Sequence, residues 1–144
     1  MRVAFVSQTG ARPGGAEESL FLFLENRPPD IEPIMVLFEQ GEYAERLRSL
    51  GLSTVVLEVP QRLRAVTRER SSSVRPLDIV RVVRELSRVL REKQIEAVHT
   101  NSMKAHVLAA PAARLGSIPV VMHLRDMVDG LGRGALQTLS LIHI

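Results

Sequence analysis

A doubly wound, mostly parallel α/β sheet in three layers is the fold class that this sequence predicts. Three observations lead to it. Short apolar runs without polar alternation recur along the chain, as strands covered on both faces require. Segments of helical periodicity separate those runs, so the chain opens β-α-β-α-β. Right-handed crossovers between parallel strands then gather the strand-end loops along one edge of the sheet.

The first run, Val3 to Val6, leads into a loop with Gly10, Gly14 and Gly15. Ala16 to Asn26 reads as a helix with Leu20, Phe21, Phe23 and Leu24 on a broad apolar face, and Pro28-Pro29 ends it. Ile34 to Phe38 is the second strand. After Gly41, Tyr43 to Leu50 forms a short helix closed by Gly51. Ser53 to Leu57 is the third strand, ended by Pro60.

The rhythm breaks over Gln61 to Pro76, where Arg62, Arg64, Arg68, Arg70 and Arg75 face one acid, Glu69, and a run of three serines. An ordered anion-binding loop, a contact with an acidic membrane surface and a solvated mobile loop all fit that composition. Pro76 suits the first turn of the next helix, whose apolar stripe runs from Leu77 to about Lys93. Ile95 to His99 is the fourth strand, and Thr100-Asn101-Ser102 supplies a loop and an N-cap. Ala105 to Leu115 is a helix of small residues closed by Gly116, with Pro111 as an expected kink. Ile118 to Met122 is the fifth strand and delivers His123-Leu124-Arg125-Asp126 to the same edge. Gly130, Gly132 and Gly134 mark a loop, and a last helix starts at Ala135. Its apolar end, Leu139 to Ile144, carries no closing signal, so a chain truncated at its C-terminus is expected.

Bulk properties narrow the function classes. A chain of 144 residues fits one domain with a real core, and 3% aromatic content makes that core aliphatic. No apolar run approaches the ~20 residues that cross a bilayer, and Met1-Arg2 leads into the strand without a signal-peptide core. With no cysteine there is neither a disulfide nor a thiolate metal site. These features fit a cytoplasmic location, with peripheral contact at the inner membrane face through the Arg62–Arg75 segment. The net charge is only +3, although 17 of the 19 basic residues are arginine. A charge that small does not point to nucleic acid.

Three loops are expected to meet at the sheet edge: Gly14-Gly15, His99-Thr100-Asn101-Ser102 and His123-Leu124-Arg125-Asp126. The glycine loop lacks the Gly-Lys-Ser/Thr of a P-loop and the spacing of the dinucleotide fingerprint. It serves either a backbone turn or the close approach of a ligand, and a helix N-terminus behind it offers N–H groups to an anion. His123 can donate, accept or carry charge near neutral pH, or simply bond to neighbouring backbone. Arg125 and Asp126 fit either a ligand contact or a local ion pair, and Glu17 fits the helix dipole. No histidine pair has the spacing of a zinc site, and no serine lies in a nucleophile elbow.

Taken in series, these motifs resemble a known family. Arg2 to Val6 followed by Gly14-Gly15-Ala16-Glu17, then Val98-His99-Thr100-Asn101-Ser102, Ala112 to Gly116, Ile118 to Val121 and His123 to Asp126 are similar to the amino-terminal domain of GT-B glycosyltransferases of family 4. The resemblance covers nearly the whole chain in the family's order. It implies a Rossmann-like domain, residues 1–144, on the acceptor side of the cleft. It also implies retaining sugar transfer from a nucleotide-sugar, without a metal or other cofactor. By motif, Gly14 and Gly15 approach the donor, His123 lies by the reacting sugar as the catalytic candidate, and Asn101, Arg125 and Asp126 join the substrate-binding set. The family's second domain, which holds the nucleotide and a paired-glutamate motif, is absent from these residues. The chain alone is therefore expected to be inactive and to self-associate through uncovered surface. Another GT-B enzyme, such as a nucleotide-sugar epimerase, and a non-catalytic binding module are the alternatives.

Overall fold

The computed structural model describes residues 1–11, 13–64 and 75–123. Their elements run β1 (Arg2–Ser7), α1 (Gly15–Glu25), β2 (Glu32–Leu37), α2 (Glu42–Ser49), β3 (Ser53–Val56), α3 (Gln61–Arg64), α4 (Pro76–Glu92), β4 (Ala97–Thr100), α5 (Met103–Arg114) and β5 (Val120–Met122). The five strands form one parallel sheet in the order β3-β2-β1-β4-β5. The expected doubly wound α/β architecture is therefore the one observed. The last expected helix, from Ala135, lies outside the described residues, as do Arg125, Asp126 and residues 65–74 of the arginine segment.

Alternation along β1 assigns the two faces. Ala4 and Val6 point into a core shared with Leu86 and Leu90 of α4 and Ala109 and Ala113 of α5. Val3 and Phe5 point the other way, toward Leu20 and Leu24 of α1 and Tyr43 and Leu47 of α2. Each strand residue of β1 thus meets a helix layer, which is why no polar residue interrupts the run. Of the apolar face of α1 only Leu20 and Leu24 are fully buried. Phe23 is half exposed, and Phe21 carries the Arg46 guanidinium 4.4 Å over its ring.

β2 begins two residues before its apolar run and contains Pro33, which lacks an N–H for the ladder. The Glu32 N–H donates to the Met1 carbonyl, so the next amide position faces the β3 side. Pairing with β3 starts only at Ile34 and Ser53, so the missing donor at Pro33 interrupts nothing.

Three helices end in the same hydrogen-bond pattern but with different residues at the left-handed position. After α2, Gly51 (φ 74°) occupies it, with Gly51 N–H donating to the Arg48 carbonyl and Leu52 N–H to the Leu47 carbonyl. After α4 the position is Gln94 (φ 53°), with Gln94 to Arg91 and Ile95 to Leu90 bonds of 2.9 Å. After α5 it is Ser117 (φ 53°), with bonds from Ser117 to Arg114 and from Ile118 to Ala113. Gly116, expected to close α5, therefore does not hold the left-handed conformation. Ile95 and Ile118 belong to the same core as Leu90 and Ala113, and this apolar anchoring holds two non-glycine residues at positive φ. α5 itself begins at Met103, with Ser102 Oγ accepting from the Ala105 N–H at 3.1 Å, and it runs through Pro111.

The arginine segment also holds something its composition hid. Leu63 in α3 is buried in the core of the α4–α5 side, and its N–H donates to the Pro60 carbonyl.

Left-handed backbone costs an ordinary L-residue about 1–2 kcal/mol, of which a glycine returns part through its freer unfolded chain. Gln94→Gly and Ser117→Gly should each raise the unfolding free energy by roughly 0.5–1 kcal/mol, read by urea denaturation. Loss of stability in both variants would refute the strain assigned to these two turns.

Candidate functional site

The sheet order reverses between β1 and β4, and the crevice beyond the carboxyl ends of those strands is where open α/β sheets bind ligands. Ser7 ends β1 there, Thr100 ends β4, and the loops carrying Gly14-Gly15 and Asn101 follow directly. His123 follows β5 at the same edge. Its N–H donates to the Thr100 carbonyl at 2.9 Å, while its side chain is exposed.

Under the glycine loop lies a buried carboxylate. Glu17 Oε2 accepts from the Gly14 N–H at 3.1 Å, and Glu17 Oε1 accepts from the Ser7 hydroxyl at 3.3 Å. Gly14 is the N-cap of α1 and has no side chain to cap with, so the third helical residue closes half of a capping box instead. Backbone carbonyls in the same turn tie in two more elements. Tyr43 of α2 donates its hydroxyl to the Glu17 carbonyl at 3.0 Å, and Asn101 Nδ2 donates to the Ala16 carbonyl at 3.1 Å. Asn101 also anchors by its own N–H, which donates to the Val6 carbonyl at 3.0 Å.

These contacts revise two expectations. Of the two roles open to the glycine loop, an anion seat at the helix N-terminus is the less favoured, because the Glu17 carboxylate in the first turn takes the Gly14 N–H and Glu18 beside it is paired with Arg46. A bound anion there would meet negative charge, so the loop suits an uncharged or hydroxyl-bearing group better than a bare phosphate. Asn101, expected as a substrate ligand, is only 2% exposed and holds β4's loop onto α1. Its Oδ1 is buried and has no hydrogen-bond partner among the described residues.

The two glycines differ in what they answer to. A Cβ on Gly14 would stand 3.2 Å from Glu17 Oε2, whereas a Cβ on Gly15 would meet nothing within 4 Å. Neither has positive φ. Gly10, by contrast, is required by packing, because a Cβ there would fall within the Glu39 carbonyl group where the β1 and β2 loops cross.

Behind His123 lies an aromatic row. The His123 ring meets the His99 ring edge to face at 5.7 Å, and His99 lies 5.2 Å from Phe5, which contacts Phe23 at 5.9 Å. One layer deeper, the Thr100 hydroxyl is 3.1 Å from His106 Nδ1, and both residues are buried. Lys104, in the first turn of α5, is half-buried. Burial lowers the pKa of its ammonium group, and the charge of Glu39 opposes that shift. Sequence patterning had flagged neither Lys104 nor the Ser7–Glu17 pair. The one available signal was Glu17 three residues after an N-cap position. Among the described residues, no group of three His, Asp or Glu side chains gathers as a metal site.

Residues 13–142 match the model of the glycosyl transferase 4-like domain. The chain belongs to that family. Among curated proteins it is 26% identical over 132 residues to N,N'-diacetylbacillosaminyl-diphospho-undecaprenol alpha-1,3-N-acetylgalactosaminyltransferase of Campylobacter jejuni, covering 92% of this chain and 31% of that protein. The chain thus spans about a third of the relative it matches. Among solved structures, Anabaena HepE in complex with UDP-glucose superposes with a TM-score of 0.66 at 21% identity, over 99% of this chain and 34% of that one. UDP-GlcNAc 2-epimerase from Neisseria meningitidis follows at 0.62 and 15%, over 99% and 38%. These likenesses establish the GT-B type of α/β fold in this family 4-like domain.

The carboxylate of Glu17 couples the loop to β1, so its removal leaves the Ser7 hydroxyl and the Gly14 amide without an acceptor. Glu17→Ala should cost about 2–4 kcal/mol in urea unfolding, at about 1–3 kcal/mol per unsatisfied buried group with partial relaxation. Glu17→Gln keeps an oxygen for Gly14 and an amide that Ser7 can accept from, and should cost less than half as much. Equal losses in the two variants would assign the effect to charge rather than to hydrogen bonding.

Proposed function

We propose that this chain is the acceptor-side domain of a retaining glycosyltransferase. In this reading the enzyme moves a sugar from a nucleotide-sugar to a glycan, lipid or small-molecule acceptor. Family membership supports the reaction class. The Campylobacter relative, whose name specifies a sugar acceptor on a polyprenyl diphosphate, favours a lipid-linked acceptor. The epimerase shares the architecture, but the family match favours transfer.

The observation that carries the proposal is Gly15. It sits exposed at the switch point with neither a left-handed backbone nor a neighbour that would exclude a side chain. Nothing inside the described domain requires glycine there, so the open space is read as room for the uncharged sugar of the donor, whose diphosphate would be held from the opposite wall. Nucleotide-sugar binding by that second wall, a mechanism without a resident metal or cofactor, and a place at the cytoplasmic face of the membrane are all parts of the proposal. So is self-association of the domain when the second wall is missing.

In the reaction, the acceptor hydroxyl oxygen forms a bond to the anomeric carbon as the bond from that carbon to the diphosphate oxygen breaks. The acceptor proton passes to the departing phosphate oxygen on the same face of the sugar. His123, exposed after β5 and backed by the His99 ring, would border that sugar and orient its hydroxyls. Asn101 would act from beneath, through the position of α1. Arg125 and Asp126 are carried in the proposal by motif alone.

The test uses the complete open reading frame that encodes this chain, assayed with a panel of nucleotide-sugars and a polyprenyl-diphosphate-linked sugar. Gly15→Ala should leave unfolding unchanged or raise stability by up to about 1 kcal/mol, since alanine is the better helix former. The same variant should lower transfer about 10²-fold by displacing the donor. His123→Ala should fall at least as far with folding intact. The 144-residue chain alone should show no turnover. Full transfer by both variants, or turnover by the isolated chain, would overturn the assignment.

A further inference from the structure

α5 packs through small residues, with Ala105, Ala109, Ala110, Ala112 and Ala113 all buried. Packing of such a helix asks only for apolar side chains, yet His106 lies among them, 2% exposed. A buried imidazole is costly unless it is hydrogen-bonded, so its place in this helix requires an account. Its Nδ1 stands 3.1 Å from the hydroxyl of Thr100, the fully buried last residue of β4. The proposed reaction uses neither side chain.

Thr100 is placed to transmit whatever holds it. Its carbonyl accepts the His123 N–H at 2.9 Å, and its hydroxyl lies 3.5 Å from the Val121 carbonyl. β5 has three residues and, among the described strands, pairs with β4 alone. His123 is therefore positioned through a single ladder, whose last bond ends on Thr100. In that ladder Thr100 stands opposite Met122, and His99 opposite Val121. Alternation puts Thr100 on the α5 side with Val98, and it puts His99, which meets the His123 ring, on the other face. His106 and the His123 ring thus lie on opposite faces of the sheet, and Thr100 joins them.

We infer that His106 is a positioning residue for His123, acting through Thr100. The Thr100 hydroxyl has one proton, and the imidazole Nδ1 at 3.1 Å is the nearer of its two acceptors. Threonine is β-branched, so its hydroxyl cannot swing away without driving the methyl group into its surroundings. The bond to α5 therefore fixes the end of β4, and with it the carbonyl that closes the β4–β5 ladder. His106 touches neither donor nor acceptor; it sets where the His123 ring stands. The catalytic consequence rests on the role proposed for His123, whereas the linkage can be read without transfer.

Native-state amide hydrogen exchange on the chain reads that linkage. His106→Phe fills the site without an acceptor, and Thr100→Val keeps the shape without the hydroxyl. Each should speed exchange of the His123 amide about tenfold, as the loss of one buried hydrogen bond predicts. The Leu57 amide, bonded to the Leu37 carbonyl on the far side of the sheet, should keep its parent rate. Thr100→Ser retains the hydroxyl and should recover most of the protection. In the complete enzyme, His106→Phe and Thr100→Val should each lower kcat about tenfold and leave the donor KM unchanged. Neither should lower transfer further when His123→Ala is already present. Equal acceleration at Leu57 would indicate general loosening and overturn the inference. So would unchanged exchange at His123, or a full further drop in kcat in the His123→Ala background. Full activity of His123→Ala would remove the transfer role of His123 alone, since the exchange rates decide the linkage without donor or acceptor.

Discussion

β1 is hydrogen-bonded to β2 on one edge and to β4 on the other, and helices cover both of its faces. No other strand separates the two halves of the sheet in this way. Its position is also where the chain's direction of winding reverses: β2 and β3 extend to one side, β4 and β5 to the other. Two crossovers must therefore part company at its carboxyl end, and the gap between them cannot be filled by a connecting helix. The crevice is a consequence of strand order, and side chains only furnish it.

What furnishes it is a small polar system with few free terms. Ser7, Gly14, Glu17, Tyr43 and Asn101 join the end of β1 to α1, α2 and the β4 loop by four hydrogen bonds of 3.0–3.3 Å. A buried carboxylate is costly unless its oxygens are bonded, and here both oxygens accept. The carboxylate rigidifies the glycine loop and also makes its surroundings negative. Anion affinity must then come from elsewhere in the complete cleft, whereas the loop's own contribution is shape: room at Gly15 and a fixed rim at Gly14.

The opposite property governs the outer side of α4. There the core demands only one face of the helix, and the remaining positions are free to take any polar residue. They are occupied instead by arginines and two large aliphatics, while Glu85 and Glu92 both pair with Arg88. On α2 and α1, by contrast, both arginines are paired and acids are in excess. Arg46 bonds Glu18 at 2.5 Å and lowers that carboxyl's pKa, and Arg48 bonds Glu45. The two helix layers of one domain thus present chemically different surfaces, one acidic and one cationic.

The sequence by itself determined the fold class, the five strands, and the three loops at one edge. Those follow from local periodicity and from turn chemistry such as Gly51, which do not depend on distant partners. It also determined the family, through motifs in series that each fix a loop. Tertiary structure alone decided which glycine is free and which is packed, since Gly10 and Gly15 look alike until the Glu39 carbonyl is placed against one of them. It decided that Asn101 faces inward and that Glu17 is buried, because both depend on residues tens of positions away. It moved the left-handed turn from Gly116 to Ser117, where the apolar anchoring of Ile118 outweighs intrinsic preference. Arg125 and Asp126 lie outside the described residues and rest on motif alone. Sequence pattern specifies what each segment prefers, and packing decides which preferences are overruled.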